Sequence, residues 1–153
     1  MQQVQFEDLS TKEKEVLQMA FDAAVHYLNR KSARRVGASL LAKNGKVYQG
    51  ASVRRTNISN STCAERMALD RALFDKCYDY ELLAVIGLYD DKDSKTVTSP
   101  CGLCRQILSE AETYGETRKP IPILASNGDF SVVIRTDSQE LFPLAYEGKA
   151  CNK

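Results

Sequence analysis

Cys63-Ala64-Glu65-Arg66 and, further along, Pro100-Cys101-Gly102-Leu103-Cys104-Arg105-Gln106 are the stretches that decide how this sequence folds. They hold three cysteines and one glutamate. Zinc accepts soft sulfur ligands in a tetrahedron, and three protein ligands leave the fourth position open to water, as a catalytic ion requires. Cys101 and Cys104 are one helical turn apart in sequence, so both sulfurs can share a helix face near its N-terminus. Cys63 then comes from the start of another helix, and the fold has to bring two helix ends to one ion. Each helix start carries partial positive charge, which favours the thiolate form that binds metal. Glu65 follows Cys63 closely enough to lean over the open position without being a ligand, where it can carry protons for a hydrolysis.

The segments around these motifs read as alternating helices and strands. Ser10 or Thr11 can start a helix, and Val16, Leu17, Ala20, Ala23, Ala24 and Leu28 recur near helical spacing through Arg30. Residues 36–42 and 46–53 read as strands around Asn44-Gly45, a pair suited to the positive backbone angles of a tight hairpin. Ser61 or Thr62 is the expected cap of the Cys63 helix, with Met67, Ala68, Ala72, Leu73 and Phe74 as its apolar positions. Residues 82–89 read as a buried strand, and the polar stretch 90–95 as a turn. Pro100 suits the first turn of the second metal helix, which has no use for its missing amide proton. Ile107, Leu108 and Ala111 continue that helix, and the apolar runs 121–125 and 130–134 around Asn127-Gly128 supply the last two of five expected strands. This order predicts a layered α/β fold with a mixed five-stranded sheet, as one domain over residues 1–153.

Composition narrows the setting. Lys and Arg total 21 against 20 Asp and Glu, a formal charge of +1 that gives no broad drive toward polyanions and disfavours nucleic acid as partner. There is no long apolar span for a membrane, and residues 1–14 are polar and mixed in charge, unlike a signal segment. With three of five cysteines in the motifs, Cys77 and Cys151 remain. A secreted disulfide scaffold is a poor account of them, and a cytoplasmic protein is expected. His26, the single histidine, is remote in sequence from the motifs and reads as a packing or surface residue, not a ligand.

The two motifs in this order resemble those of the small homotetrameric zinc-dependent cytidine deaminase family, which has blasticidin-S deaminases as close relatives. The resemblance extends to Val36-Gly37-Ala38-Ser39-Leu40, Gly50 and Glu140-Leu141-Phe142-Pro143, and so covers most of the chain. It implies a three-layer cytidine deaminase-like fold with Zn2+ at Cys63, Cys101 and Cys104. The chemistry it implies is hydrolytic deamination of cytidine, deoxycytidine or a cytosine nucleoside analogue to the uracil form. Glu65 would take a proton from the metal-activated water and deliver protons to the ring nitrogen and the departing amine. Arg66 is placed to donate to a zinc-bound sulfur and offset the thiolate charge. Backbone groups at Ala64 and Ser99 would orient the pyrimidine amide edge, and Tyr146 falls where relatives carry an aromatic residue that reaches a neighbouring subunit's site. A homotetramer is the expectation.

The departures concern the sugar. After the glycine matching Gly50, the family usually supplies an asparagine and a glutamate to hold the ribose hydroxyls; here Ser52 and Arg54 stand there. A hydroxyl replaces only part of an amide's bonding, and arginine donates without accepting. The aromatic residue expected two positions before Val36-Gly37-Ala38 is Arg34. Blasticidin-S deaminases also depart from the sugar pattern, which keeps a nucleoside antibiotic or modified nucleoside in view as substrate. Arg34, Arg35, Arg54 and Arg55 have two readings, as converging donors for a phosphate or carboxylate or as solvated surface residues. Two alternative functions stand beside the small-molecule enzyme. One is a nucleic-acid cytosine deaminase, which needs a strand path and an extruded or single-stranded base. The other is a noncatalytic zinc-stabilised binding module with Cys77 or Cys151 closing the coordination sphere, against which Glu65 argues.

Overall fold

The computed structural model describes residues 1–26, 34–90 and 95–146. In chain order its elements are β1 (Gln2–Val4), α1 (Thr11–Val25), β2 (Arg34–Ala42), β3 (Val47–Ala51), α2 (Ala64–Phe74), β4 (Tyr80–Tyr89), α3 (Gly102–Ala111), β5 (Pro122–Asn127), β6 (Val133–Asp137) and α4 (Ser138–Leu141). The six strands lie in the order β1-β6-β5-β4-β2-β3. All neighbours are antiparallel except β4 and β5, whose parallel pairing requires the crossover that α3 provides.

The central strands β2 and β4 are covered on both faces, so they read as apolar runs rather than as alternating patterns. Leu41, Leu82, Ala84 and Ile86 pack with Val16, Leu17, Ala20 and Ala24 of α1. On the opposite face Ala38, Leu40, Leu83 and Val85 pack with Ala68 and Leu69 of α2 and Leu108 of α3. Helix, sheet and helix therefore form three layers, with the apolar cores on either side of the sheet.

The sheet has six strands where five are expected, because Gln2-Gln3-Val4 pairs antiparallel with β6. That segment has one apolar residue and no alternation to mark it; β6 supplies its order. β6 itself begins at Val133, later than the apolar run from residue 130 suggests. Phe130 takes a positive φ of 61° and stacks on Phe6 with ring centroids 5.0 Å apart. The Asn127 side chain donates to Asp129 and Ser131 and accepts from Val132, which makes this stretch a loop. α1 begins as its sequence indicates: the Ser10 hydroxyl accepts from the Glu13 amide and the Glu13 carboxylate accepts from the Ser10 amide. Its expected continuation through Leu28 and Arg30, and residues 91–94 of the expected turn, lie outside the described residues.

Two glycines set the distance between sheet and site. A Cβ on Gly50 of β3 would overlap the Ala64 carbonyl oxygen at 2.2 Å, so α2 lies directly on the strand. A Cβ on Gly87 of β4 would stand 1.9 Å from Thr98 Oγ1, so the chain leading to Cys101 crosses close over β4.

Candidate active site

Cys63 and Cys101 are the N-cap residues of α2 and α3, both with extended backbone and neither with a side-chain capping bond. A serine or aspartate at such a position would accept a first-turn amide. A thiol is a weak acceptor, so its sulfur can serve a metal beside two positive helix ends. The cap of α2 is therefore Cys63, not Ser61 or Thr62. Thr62 is held instead in an antiparallel bridge with Val53, and the Ser61 hydroxyl accepts from the Arg55 amide at 3.1 Å.

Cys104 lies in the first turn of α3 and is buried. Its sulfur and those of Cys63 and Cys101 all lie within 4.8 Å of one another, with Cys63 and Cys101 3.6 Å apart. Thiolates at tetrahedral angles around zinc, each about 2.3 Å from it, stand roughly 3.8 Å from each other. The three residues fit zinc in spacing and in donor type.

A hydrogen bond with Cys104 comes first among the causes that pull the Cys63 thiol down to about 6; Cys101, Arg66 and Arg34 act in the same direction. The same bond pushes Cys104 up, as does its burial. The pair thus favours the thiolate at Cys63 and the thiol at Cys104, and the metal that binds there requires deprotonated sulfur. Glu65, in the first turn of α2, is only 5% exposed. Burial raises its carboxyl to about 7; a bond from its own backbone amide opposes this, and the charge of Cys63 adds to it. A carboxyl that titrates there can both take and return a proton.

A cleft of about 390 Å³ opens over Cys63, Glu65 and Cys101. Arg34, Ser52, Arg54, Ala64 and Ser99, all expected at the substrate, line it. Tyr146 does not: the residue is 76% exposed, and its carbonyl accepts from Gln106 Nε2 at 2.9 Å. The Arg34 guanidinium lies over the Tyr89 ring, 5.4 Å from its centroid, and the Tyr89 hydroxyl is 3.2 Å from Thr98 Oγ1. Ser52 Oγ accepts from the Val36 amide at 3.1 Å and so extends the β2–β3 pairing. Arg35 pairs with Asp90 at 3.8 Å, and Arg55 Nε donates to the Asn60 carbonyl at 3.1 Å. Arg66 donates to the Ser61 carbonyl at 2.8 Å while its charge acts on Cys63.

Two residues given no role in the sequence reading support the site, one in the cleft wall and one behind it. Thr98 is buried in the cleft wall against Gly87. Arg105 donates from Nε to the Pro100 carbonyl at 2.9 Å, and from its two terminal nitrogens to the Leu141 carbonyl at 3.1 Å and Ser99 Oγ at 3.3 Å. Its position directly after Cys104 was the only local signal. His26 is exposed at the end of α1, and Cys77 is outside the sulfur cluster and packs against the α2-side core. Cys151 lies outside the described residues.

Residues 10–115 match the family described as the cytidine and deoxycytidylate deaminase zinc-binding region. The chain belongs to this family. A cytidine deaminase of Sporosarcina psychrophila is 39% identical over 111 residues, covering 72% of this chain and 74% of that one. A blasticidin-S deaminase of Bacillus cereus is 25% identical over 142 residues, covering 91% and 95%. The crystal structure of a cytidine deaminase from Burkholderia pseudomallei aligns with a TM-score of 0.75 at 26% identity, over 90% of this chain and all 100% of that one. Membership brings zinc to the three-sulfur cluster as the metal of a hydrolase. It does not favour a noncatalytic module, and Cys77 stands apart from the sulfurs. No described helix is long and apolar enough to cross a membrane.

Proposed function

We propose that this deaminase-family protein hydrolyses the exocyclic amine of a cytosine nucleoside or nucleoside analogue, releasing ammonia and the uracil form. The observation that carries this reading is a buried carboxyl, Glu65, in the wall of the cleft that two of the three clustered cysteines also line. Bound there, zinc supplies a Lewis acid that makes water a nucleophile at neutral pH.

Glu65 does the proton work. It accepts a proton from the attacking water and donates to the ring nitrogen, which makes the neighbouring carbon electrophilic. A second proton, passed by Glu65 from the added hydroxyl to the exocyclic nitrogen, makes it a leaving group: one C–O bond forms, one C–N bond breaks, the hydroxyl becomes the carbonyl, and ammonia departs. The raised carboxyl pKa supports both directions of transfer. Ala64 and Ser99 line the cleft beside Glu65, and their backbone groups orient the pyrimidine amide edge. Arg66 offsets the thiolate charge on Cys63.

We further place the protein in the cytoplasm as a homotetramer, in which Tyr146 reaches a neighbouring subunit's cleft. The exposure of Tyr146 outside its own cleft supports that role, and Cys77, a free thiol apart from the metal ligands, suits a reducing compartment. The test is ammonia release by the zinc-loaded protein against cytidine, deoxycytidine, cytosine, blasticidin S and a short cytosine-containing single strand. Turnover confined to the nucleosides or blasticidin S supports the proposal, whereas turnover confined to the strand contradicts it.

A further inference from the structure

We propose that Tyr89, which does not itself line the cleft, is a positioning residue for the substrate: its hydroxyl seats Thr98 and, through it, the Thr98-Ser99 stretch of the cleft wall. The inference rests on the deaminase reading for the role of Ser99 and on strand geometry for the placement. Tyr89 pairs with Arg34, and Gly87 with Val36, in the β2–β4 register. Side chains directly across an antiparallel pair share a face, and they alternate along each strand. Tyr89 and the bare position of Gly87 therefore lie on the face from which Arg34 and Val36 line the cleft.

Thr98 fills the space that Gly87 leaves. A Cβ on Gly87 would stand 2.8 Å from Thr98 Cβ and 3.2 Å from Tyr89 Cε2, so the tyrosine ring folds back along β4 and meets the same threonine. The two hydroxyls are 3.2 Å apart, and Thr98 is only 1% exposed. A hydroxyl buried to that extent loses more with its partner than one that can turn to water. The Thr98 amide donates to the Ser126 carbonyl at 3.3 Å, which holds its backbone on β5 while Tyr89 meets its side chain. Further along, Arg105 bonds Ser99 Oγ and the Pro100 carbonyl, so the Cys101 end of the segment has its own anchor on α3. Loss of the Tyr89 hydroxyl therefore shifts the wall that faces the substrate and leaves the sulfurs in place. The ring also carries the Arg34 guanidinium, 5.4 Å from its centroid. Tyr89→Phe keeps that surface and isolates the hydroxyl.

The test is steady-state ammonia release by zinc-loaded wild type, Tyr89→Phe, Thr98→Val and the double variant, on whichever of cytidine, deoxycytidine and blasticidin S the wild type turns over. Hydrogen exchange of the Thr98 amide is followed by NMR in the same proteins without substrate. Tyr89→Phe is expected to raise KM about threefold to tenfold, the size of one buried hydrogen bond, with kcat within about twofold of wild type. Zinc per chain stays unchanged, and the Thr98 amide exchanges faster while amides of α2 do not. Thr98→Val, which removes the partner hydroxyl and keeps the volume, should reproduce the rise in KM, and adding Tyr89→Phe to it should change nothing further. An unchanged KM in Tyr89→Phe, independent effects that multiply in the double variant, or a fall in kcat and zinc content alongside melting temperature would overturn the proposal. Release from none of the compounds removes the deaminase reading instead, and the seating of Thr98 is then decided by exchange alone: faster exchange in Tyr89→Phe upholds it, and unchanged exchange overturns it.

Discussion

The carbonyl oxygen of Ala64 lies where a Cβ on Gly50 would have to go, 2.2 Å away, and the Ala68 amide nitrogen is 2.7 Å from the same point. β3 therefore touches the backbone of the turn that carries Cys63 and Glu65. Gly50→Ala must push α2 away from the sheet and move one metal ligand relative to the other two. The expected cost is about 1–3 kcal/mol of stability, as for overpacking elsewhere, together with reduced zinc per chain. Thermal melting and metal analysis check it; unchanged values in both would mean that α2 is not seated by this contact.

Arg105 ties the segment before Cys101 to the C-terminal region through Pro100, Ser99 and Leu141. Arg105→Ala removes all three bonds, and each hydrogen bond to a charged group contributes about 1.5–3 kcal/mol. Faster loss of zinc to a chelator is expected, with kcat/KM reduced on the order of tenfold to a hundredfold. Arg105→Lys should recover only part of this, because an ammonium lacks the planar fork. Chelator kinetics identical to wild type would exclude the positioning role.

Asp79 provides a pH dependence away from the metal. The Thr117 amide, first, and then the Thr117 hydroxyl and Glu116 amide donate to its carboxylate and hold its pKa below the ordinary value. A lowered folded-state pKa adds stability that is present above the unfolded value and is lost as pH falls through the folded one. The urea midpoint of wild type should exceed that of Asp79→Asn most at neutral pH, and the gap should close as pH falls below about 4, where the unfolded aspartate protonates. A gap that stays constant down to acid pH would contradict the assignment.

Tyr146→Ala tests the subunit contribution. Its ring is exposed and lines no part of its own cleft, so the expected result is reduced turnover with the assembly unchanged by sedimentation. Unchanged turnover would remove Tyr146 from the site.

What could be read in advance follows from where the information lies. The cysteines and Glu65 were legible because coordination chemistry limits which residues can stand there, and β2 and β4 because strands buried on both faces must be apolar. β1 was not legible, since Gln2-Gln3-Val4 owes its conformation to β6. The α2 cap was misplaced at Ser61 or Thr62 because cap preferences reflect side-chain bonding to the helix, and Cys63 occupies the N-cap without that bond. Arg105 and Thr98 act on Leu141 and against Gly87, far away in sequence, and no local pattern encodes such partners. That Arg34 and Arg54 line the cleft, while Arg35 meets Asp90 and Arg55 meets the Asn60 carbonyl, likewise became visible only in the folded chain.

The most direct measurement compares ammonia release from cytidine by wild type and Glu65→Gln, with zinc per chain determined for both. Glu65 as proton carrier predicts full zinc in each protein and a rate lower in the variant by about 10²–10⁴, the usual contribution of a positioned acid–base group. Equal rates in the two zinc-loaded proteins would contradict it.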